Sequence, residues 1–194
     1  MTVKTDPEGL AAAARAAQKE GRLPPVHLWN PPFCGDLDME IRADGTWFYE
    51  GTPIGRPGLV KLFSSILRKE GADYFLVTPV EKVGIRVEDA PFVATDAEIA
   101  GAGAGEGQSI TFTTHVGDTV TAGPERPIRV ERDAATGEPR PYVLVRAELE
   151  ALIDRKTFYR LVEAGAHAEV DGTRWFGLWS GGTFFPVIPS AELP

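Results

Sequence analysis

The sequence predicts an α+β protein in which strands outnumber helices. Its 194 residues include 21 Gly and 16 Pro, a share that favours short strands joined by turns. From residue 37 onward, apolar and polar side chains alternate in short runs, which is typical of half-buried strands. A few segments instead place apolar residues at helical spacing. Apolar residues make up 43% of the chain, so these elements can enclose a packed core.

The chain opens with a predicted helix over about residues 7–20. Asp6 precedes Pro7 in the pattern of an N-cap followed by proline in the first turn, and Gly21 ends the helix. The apolar stripe of this helix is thin, which indicates a peripheral position. A proline-rich segment follows up to residue 32 and should be extended.

A β-hairpin is predicted around Asp44-Gly45, a pair that is common in tight turns. Residues 37–41 alternate apolar and polar side chains before this pair, and residues 47–49 form the returning strand. The hairpin is the first part of the predicted sheet.

A second helix is predicted over residues 57–70. Its apolar side chains share one face, Arg68 and Lys69 would lie in its last turn, and Gly71 would end it. The apolar face is wide enough to pack on a sheet. Further strands are predicted at about residues 74–78, 83–87 and 92–95.

Residues 101–107 form a glycine-rich segment of low complexity. We place a domain boundary there, which gives an N-terminal helix within residues 1–22, a first α+β domain at 23–103 and a second, β-rich domain at 104–194. The alternative is that the segment is a long hairpin loop between two strands of one sheet.

The second domain is predicted to combine strands with two short helices. One helix starts at about residue 147, and the next is capped by Asp154 and ends at Gly165. Two or three closing strands follow and contain five aromatic residues, some of which could form an interface rather than core: Trp175, Phe176, Trp179, Phe184 and Phe185.

The two halves of the chain share one order of elements, which predicts an internal duplication. Each reads strand, turn, strand, Ile-x-Arg, helix and glycine. Ile54-Gly55-Arg56 and Ile153-Asp154-Arg155 stand at matching helix starts. The spacing between the turns is loose, and the second copy carries the additional helix predicted near residue 147.

Charge and composition exclude several classes of protein. The 28 acidic residues outnumber the 20 basic ones and give a net charge of −8, which disfavours general binding to nucleic acids or anionic membranes. Cys34 is the single cysteine, so no internal disulfide can form. No apolar run approaches the ~18 residues of a membrane span. We therefore expect a cytoplasmic protein without a membrane span.

The common signatures of enzymes and cofactor sites are absent from the sequence. It contains neither a P-loop nor a G-x-G-x-x-G fingerprint. Ser180 is one residue out of phase with a nucleophile elbow, and the three histidines are far apart. We expect no cofactor, no metal and no catalytic residues.

Five short motifs follow one another along the chain: residues 51–56 (GTPIGR), 74–83 (YFLVTPVEKV), 87–92 (VEDAPF), 158–162 (FYRLV) and 179–185 (WSGGTFF). In sequence and in order, they resemble the bacterial family grouped as domain of unknown function 1285. The resemblance spans about residues 29–186. It implies a duplicated two-domain protein whose second domain is superficially like a pleckstrin-homology barrel. It also implies a site for a nucleotide-like ligand between the domains and a role in signal transduction.

Arginine residues are the best candidates for binding a small anion. A guanidinium group offers a planar set of donors that fits a phosphate or carboxylate and also stacks on aromatic rings. We expect Arg56 and Arg155 to be equivalent by duplication and to line a ligand site at the domain junction. The other candidates for this site are Arg146, Tyr142, Tyr159, Trp47, Glu81 and Lys82. The alternative is that Arg56 and Arg155 bridge the domains through ion pairs with Glu81 and Asp154.

These observations favour a non-catalytic protein that holds a small anionic, nucleotide-like ligand. Two alternatives remain open. Glu81 and His115 could act together on a water molecule in an uncharacterised hydrolase. The surplus aromatic residues could instead form the surface of a protein-protein adaptor, so a protein partner is a further possibility.

Overall fold

The structure, a computed structural model, describes residues 5–18 and 21–194. The chain divides into two compact units, Met1–Pro91 and Phe92–Pro194. The described residues form fifteen strands and three α-helices. The predicted two-part, strand-rich architecture is therefore confirmed. Within the described ranges the longest helix has 11 residues, too few to cross a membrane.

Helix α1 (Pro7–Ala17) begins as the sequence predicts. The Asp6 carboxylate accepts a hydrogen bond of 2.7 Å from the Gly9 backbone N–H, and Pro7 occupies the first turn. The helix ends at the cap residue Gln18, and the predicted last positions, 19 and 20, lie outside the described residues. Leu10 and Ala14 are fully buried, so α1 is more firmly packed than its thin apolar stripe indicated.

The rest of the first unit is one six-stranded sheet with a second helix. Its elements are β1 (Phe33–Ile41), β2 (Trp47–Tyr49), β3 (Thr52–Pro53), α2 (Pro57–Ser65), β4 (Leu67–Glu70), β5 (Asp73–Val77) and β6 (Lys82–Val87). The strand order is β3-β2-β1-β6-β5-β4. β1 and β6 are parallel, and the other neighbours are antiparallel. Helix α2 packs against α1.

The predicted helix over residues 57–70 was wrong in its second half. Helix α2 ends at Ser65, where the Ser64 and Ser65 hydroxyls bond to the carbonyls of Lys61 and Leu62. Such bonds let serine compete with the helical backbone. The following residues form β4, in which buried Leu67 lies opposite Leu76 of β5. The confirmed hairpin at Asp44-Gly45 joins β1 to β2.

The second unit contains two sheets and one helix. Its elements are β7 (Phe92–Ala100), β8 (Ser109–Thr114), β9 (Thr119–Thr121), β10 (Ile128–Arg132), β11 (Pro139–Arg146), β12 (Leu149–Ile153), α3 (Arg155–Glu163), β13 (Ala166–Val170), β14 (Thr173–Ser180) and β15 (Thr183–Pro189). One sheet has the order β10-β11-β12-β7-β8-β9, and the other has the order β13-β14-β15. The predicted closing strands are confirmed.

The glycine-rich segment at residues 101–107 lies inside the second unit. It connects β7 and β8, which pair antiparallel from Ala94–Thr114 to Ala100–Ser109. The structure thus divides the chain after Pro91, earlier than the boundary predicted at residue 103, and matches the hairpin-loop alternative. The difference arises because β7 belongs to the second sheet, between β8 and β12.

The helix predicted from residue 147 is the strand β12. Leu149, Ala151 and Ile153 are buried and alternate with half-buried Glu150 and Leu152, which is the two-residue period of a strand. The helix that follows, α3, matches its prediction. The Asp154 carboxylate accepts a hydrogen bond of 2.8 Å from the Thr157 backbone N–H.

Each unit has its own apolar core. The first contains Met39, Ile41, Trp47, Phe63, Ile66 and Leu76, and the second contains Phe92, Ile110, Phe112, Val143, Leu161 and Leu178. In the second unit, Ser180 links the two sheets. Its buried hydroxyl accepts from the Ile110 backbone N–H and donates to the Ala122 carbonyl, both at 2.8 Å.

Both units contain three consecutive strands, a helix and three more strands. In the first unit these are β1–β3, α2 and β4–β6, and in the second they are β10–β12, α3 and β13–β15. Both helices have nine residues. Because Leu149–Ile153 is the strand β12, the additional helix predicted near residue 147 is not formed.

Candidate functional site

One cavity of the first unit lies where α1, β3 and α2 start or end close together. Its volume is about 570 Å³. Its walls are mostly apolar and are formed by Asp6, Pro7, Glu8, Tyr49, Thr52, Pro53, Ile54, Gly55, Arg56 and Leu59. The volume is within the usual range of small-molecule sites, roughly 300–1,000 Å³.

Arg56 is the cation of this cavity. It is the N-cap residue of α2, has an extended backbone and is followed by Pro57 in the first turn. Its side chain is exposed and, among the described residues, forms neither a hydrogen bond nor an ion pair. Its guanidinium donors are therefore available to a ligand.

A smaller cavity of about 210 Å³ adjoins the first one. The two share Pro7, Glu8, Arg56 and Leu59, and the smaller cavity adds Ala11 and Arg15. Arg15 is exposed on α1 and likewise forms no ion pair within residues 5–18 and 21–194. We name the two adjoining cavities the helix groove. The groove has an apolar compartment and a compartment with two arginines.

Four other polar side chains line the helix groove, those of Asp6, Glu8, Tyr49 and Thr52. The Asp6 carboxylate is engaged in capping α1, whereas Glu8 faces both cavities. Burial raises the pKa of Tyr49, and the negative charge of Glu50 raises it further. Tyr49 is therefore a neutral phenol at physiological pH, and its hydroxyl is directed at the Glu50 carboxylate.

Arg155 is the first residue of α3 and also lines a cavity, of about 390 Å³. The exposed ring of Tyr159 lines the same cavity. Unlike Arg56, Arg155 is neutralised by an ion pair of 2.8 Å with Glu138. The structure thus brings together two of the predicted site residues in the second unit, but the charge of this arginine is already balanced.

Two further residues predicted for the site hold the second unit together. The Arg146 guanidinium forms an ion pair of 2.6 Å with Asp118 and lies 4.9 Å from the centre of the Phe92 ring. Tyr142 is 3% exposed, and the Arg129 guanidinium covers its ring at 4.5 Å. Both side chains have contacts that account for their positions without a ligand.

The predicted site residues Trp47, Glu81 and Lys82 do not line the helix groove. Trp47 is 1% exposed and stacks on the Phe63 ring in the core. Glu81 accepts a hydrogen bond of 3.0 Å from the Thr5 hydroxyl, and Lys82 forms an ion pair of 3.1 Å with Glu70. A ligand could contact the Trp47 ring only if the core rearranged.

The alternative ion pairs do not form in the described structure. Glu81 bonds to Thr5 rather than to Arg56, and Asp154 caps α3 rather than pairing with Arg155. His115, the partner considered for Glu81 in a hydrolase, accepts a hydrogen bond of 3.2 Å at Nδ1 from the Val93 backbone N–H. In residues 5–18 and 21–194, no group of three or more His, Cys, Asp or Glu side chains is arranged to hold a metal ion.

Comparisons with known proteins identify the family. Models of the N-terminal and C-terminal domains of the family named domain of unknown function DUF1285 match residues 24–90 and 91–187. The chain belongs to the DUF1285 family. The resemblance seen in the sequence motifs is thereby confirmed.

Two solved DUF1285 structures are similar to this chain. The crystal structure of a family member from Silicibacter pomeroyi DSS-3 has 62% sequence identity and a TM-score of 0.84, over 95% of this chain and 97% of that one. A family member from Shewanella baltica OS155 has 27% identity and a TM-score of 0.51, over 66% of this chain and 92% of that one. No curated protein matches.

Sequence reasoning selected Arg56 but missed its neighbours in the helix groove. Glu8, Ala11 and Arg15 recur at intervals of three and four residues, so they share one face of α1. That spacing could have placed Arg15 beside Glu8. It could not show that α2 would place Arg56 at the same groove.

Proposed function

We propose that this DUF1285 protein is a non-catalytic binding protein for a small organic anion, held in the helix groove of the first unit. A nucleotide-like ligand fits the proposal because it combines an apolar ring with an anionic group. A role in signal transduction, which the family resemblance implied, would follow from reversible binding of such a ligand.

The observation that carries the proposal is the Arg56 guanidinium, which lines both compartments of the groove and has no ion-pair partner among the residues that the structure describes. An arginine at a partly apolar recess without an acidic partner can give all its donors to a ligand. Two oxygens of a phosphate or a carboxylate match the planar, forked donors of the guanidinium. Arg15 supplies a second unpaired cation to the smaller compartment.

The other residues of the helix groove can contact the apolar ring and the polar groups of such a ligand. Pro53, Ile54 and Leu59 can cover an apolar ring in the larger compartment. The oxygen of the neutral Tyr49 hydroxyl and the Glu8 carboxylate can each accept a hydrogen bond from a hydroxyl or amino group. A ligand with an anionic end and hydrogen-bond donors elsewhere would therefore be preferred over a simple inorganic anion.

The proposal includes an internal duplication of the chain. It is supported by the common order of three strands, a nine-residue helix and three strands in each unit. It is also supported by Arg56 and Arg155, which each stand at the start of such a helix and line a cavity. The likeness of the second unit to a pleckstrin-homology barrel stays a prediction.

Thermal-shift and calorimetric titrations with nucleotides test the proposed function. We expect at least one nucleotide to raise the melting temperature of the full chain. Arg56→Ala should weaken its binding by about 10-fold to 100-fold, since hydrogen bonds to charged groups contribute roughly 1.5–3 kcal/mol. Arg15→Ala should weaken binding in the same direction.

Arg22→Ala is the matched control for these variants. Arg22 is an exposed arginine of the same unit that lines neither compartment of the groove. Its replacement should leave the affinity unchanged. Equal affinities of the Arg56→Ala and Arg22→Ala variants, or no stabilisation of the natural chain by any nucleotide, would contradict the proposal.

A further inference from the structure

The first unit contains a second recess that shares no residue with the helix groove. It lies on the sheet at β1, β5 and β6 and has a volume of about 390 Å³. We name it the sheet recess. Its walls are formed by Phe33, Asp36, Asp73, Tyr74, Phe75, Lys82, Gly84 and Ile85.

The floor of the sheet recess is the bare backbone of Gly84. Gly84 lies between Asp36 of β1 and Phe75 of β5, so the three residues form a row across three neighbouring strands. A Cβ at Gly84 would stand 2.1 Å from the Asp36 Oδ1 and 3.8 Å from the Phe33 ring. The glycine thus provides the space in which the Asp36 carboxylate lies beside an aromatic ring.

Two phenylalanine rings form the apolar part of the recess. Phe33 and Phe75 meet edge to face, with 6.1 Å between their ring centres and an angle of 87°. Phe33 is nevertheless 55% exposed, although it is a large apolar side chain. Covering its open face would remove apolar surface from water, which favours binding.

The charges of the sheet recess favour a cation. Asp36 and Asp73 form no hydrogen bond or ion pair through their carboxylates within the described residues. Lys82, the cation of the recess wall, forms an ion pair of 3.1 Å with Glu70, a carboxylate that it shares with Arg68. Arg86 attracts Asp36 over a longer distance, but its guanidinium is held by Asp38 at 2.7 Å. Two carboxylates therefore remain without a close cationic partner.

The rings of the recess are also suited to a cation. The Lys82 ammonium lies 4.7 Å from the centre of the Phe75 ring, which shows that this ring accepts a positive charge on one side. Aromatic faces beside a carboxylate are how proteins recognise organic ammonium groups. Among the described residues, no group of three or more His, Cys, Asp or Glu side chains at the recess is arranged to hold a metal ion.

We propose that the sheet recess binds a small organic ammonium ion, with its charged nitrogen near Asp36 and its methyl or methylene groups against Phe33 and Phe75. The ligand class is an alkylammonium or trimethylammonium compound. The site is independent of the helix groove, because it uses other residues and the opposite charge.

A nuclear magnetic resonance titration of the full chain with choline tests this proposal. We expect saturable shifts of the backbone amides of Phe33, Asp36 and Gly84. An equal concentration of potassium chloride, which supplies a cation without methyl groups, should not produce them. Asp36→Asn and Phe33→Ala should each weaken choline binding about fivefold or more, a size consistent with cation–π and charge contributions.

Asp38→Asn is the matched control. Asp38 lies two residues further along β1, so it shares the face of Asp36, and it is exposed but already paired with Arg86. Its replacement removes a carboxylate that already faces Arg86, so it should weaken choline binding less than Asp36→Asn does. Arg56→Ala should leave choline binding unchanged, which separates this site from the proposed function. Equal affinities of the Asp36→Asn and Asp38→Asn variants would overturn the proposal. Shifts that do not saturate, or that potassium chloride reproduces, would overturn it as well.

Discussion

The Glu70 carboxylate connects side chains of two strands, β4 and β6, in the sheet of the first unit. Glu70 accepts hydrogen bonds from Arg68 and from Lys82. Arg68 also donates to the backbone carbonyls of Val26 and Trp29, at 2.9 and 2.7 Å. The Glu70 carboxylate therefore holds the Arg68 guanidinium in place, and this guanidinium connects strand β4 to the proline-rich segment before β1.

The pKa of Glu70 predicts how this contact depends on pH. Burial alone would raise that pKa, but hydrogen bonds from Lys82 and Arg68, together with their charges, outweigh burial and hold it below its ordinary value. A lowered pKa in the folded state means that the ionised carboxylate stabilises the fold above the unfolded pKa of about 4.3. This stabilisation is lost as the pH falls through the lowered folded pKa.

Glu70→Gln should accordingly destabilise the protein by about 0.2–1 kcal/mol at pH 7, the usual range for a partly exposed ion pair. The difference from the natural chain should shrink as the pH is lowered toward about 3.5. Urea unfolding at both pH values measures the two free energies. Glu125→Gln, at an exposed acid outside any ion pair of the described chain, is the control. A difference of equal size at both pH values would contradict the prediction.

The sequence could place Arg56 at the start of a helix but could not show which arginines form ion pairs. The partner of Arg146 is Asp118, 28 residues away, and that of Arg155 is Glu138, 17 residues away. Such pairs depend on strand register, which composition and spacing do not determine. An arginine without a partner can thus be recognised only once the neighbouring strands are placed.

At the scale of elements, the sequence was sufficient to predict helix starts and turns, because one or two residues determine the backbone geometry there. The N-caps at Asp6 and Asp154 and the turn at Asp44-Gly45 lie where the sequence predicts them. The two misassigned segments, residues 66–70 and 147–153, contain apolar residues at spacings that fit both a helix and a strand. Residues 66–70 become a strand because they pair with β5, and residues 147–153 become a strand because they pair with β11.

The pair β14–β15 offers a test of how closely two strands can approach. A Cβ at Gly177 would lie 2.2 Å from the Phe185 carbonyl oxygen and 2.7 Å from the Phe184 ring. The backbone must shift to admit it, so Gly177→Ala should destabilise the protein by about 1–3 kcal/mol. Urea unfolding measures the change in the free energy of unfolding.

Gly58→Ala is the control for this variant. Gly58 lies in α2, and a Cβ there would meet nothing within 4 Å. Because alanine favours a helix over glycine by up to about 1 kcal/mol, this change should be neutral or stabilising. If the Gly177→Ala protein unfolded at the same urea concentration as the natural chain, the strand pair would be less tightly packed than described.

At the scale of the whole molecule, the boundary between the two units depends on which sheet strand β7 joins. The family models meet between residues 90 and 91, and the structure divides the chain between Pro91 and Phe92. The sequence instead favoured the glycine-rich segment, because a run of glycines is typical of linkers and of hairpin loops alike. The alternation within residues 92–100 predicts a strand but not the sheet that it joins.

The position of β7 makes the division testable with fragments. Fragments 1–91 and 92–194 each retain complete sheets and their own core, so each should fold alone and unfold cooperatively. Fragment 104–194 lacks β7, which pairs with both β8 and β12 in the middle of its sheet. It should therefore show no cooperative transition on thermal or urea unfolding followed by circular dichroism. If 104–194 folded as stably as 92–194, β7 would not be required for that sheet, and the boundary predicted at residue 103 would be the better one.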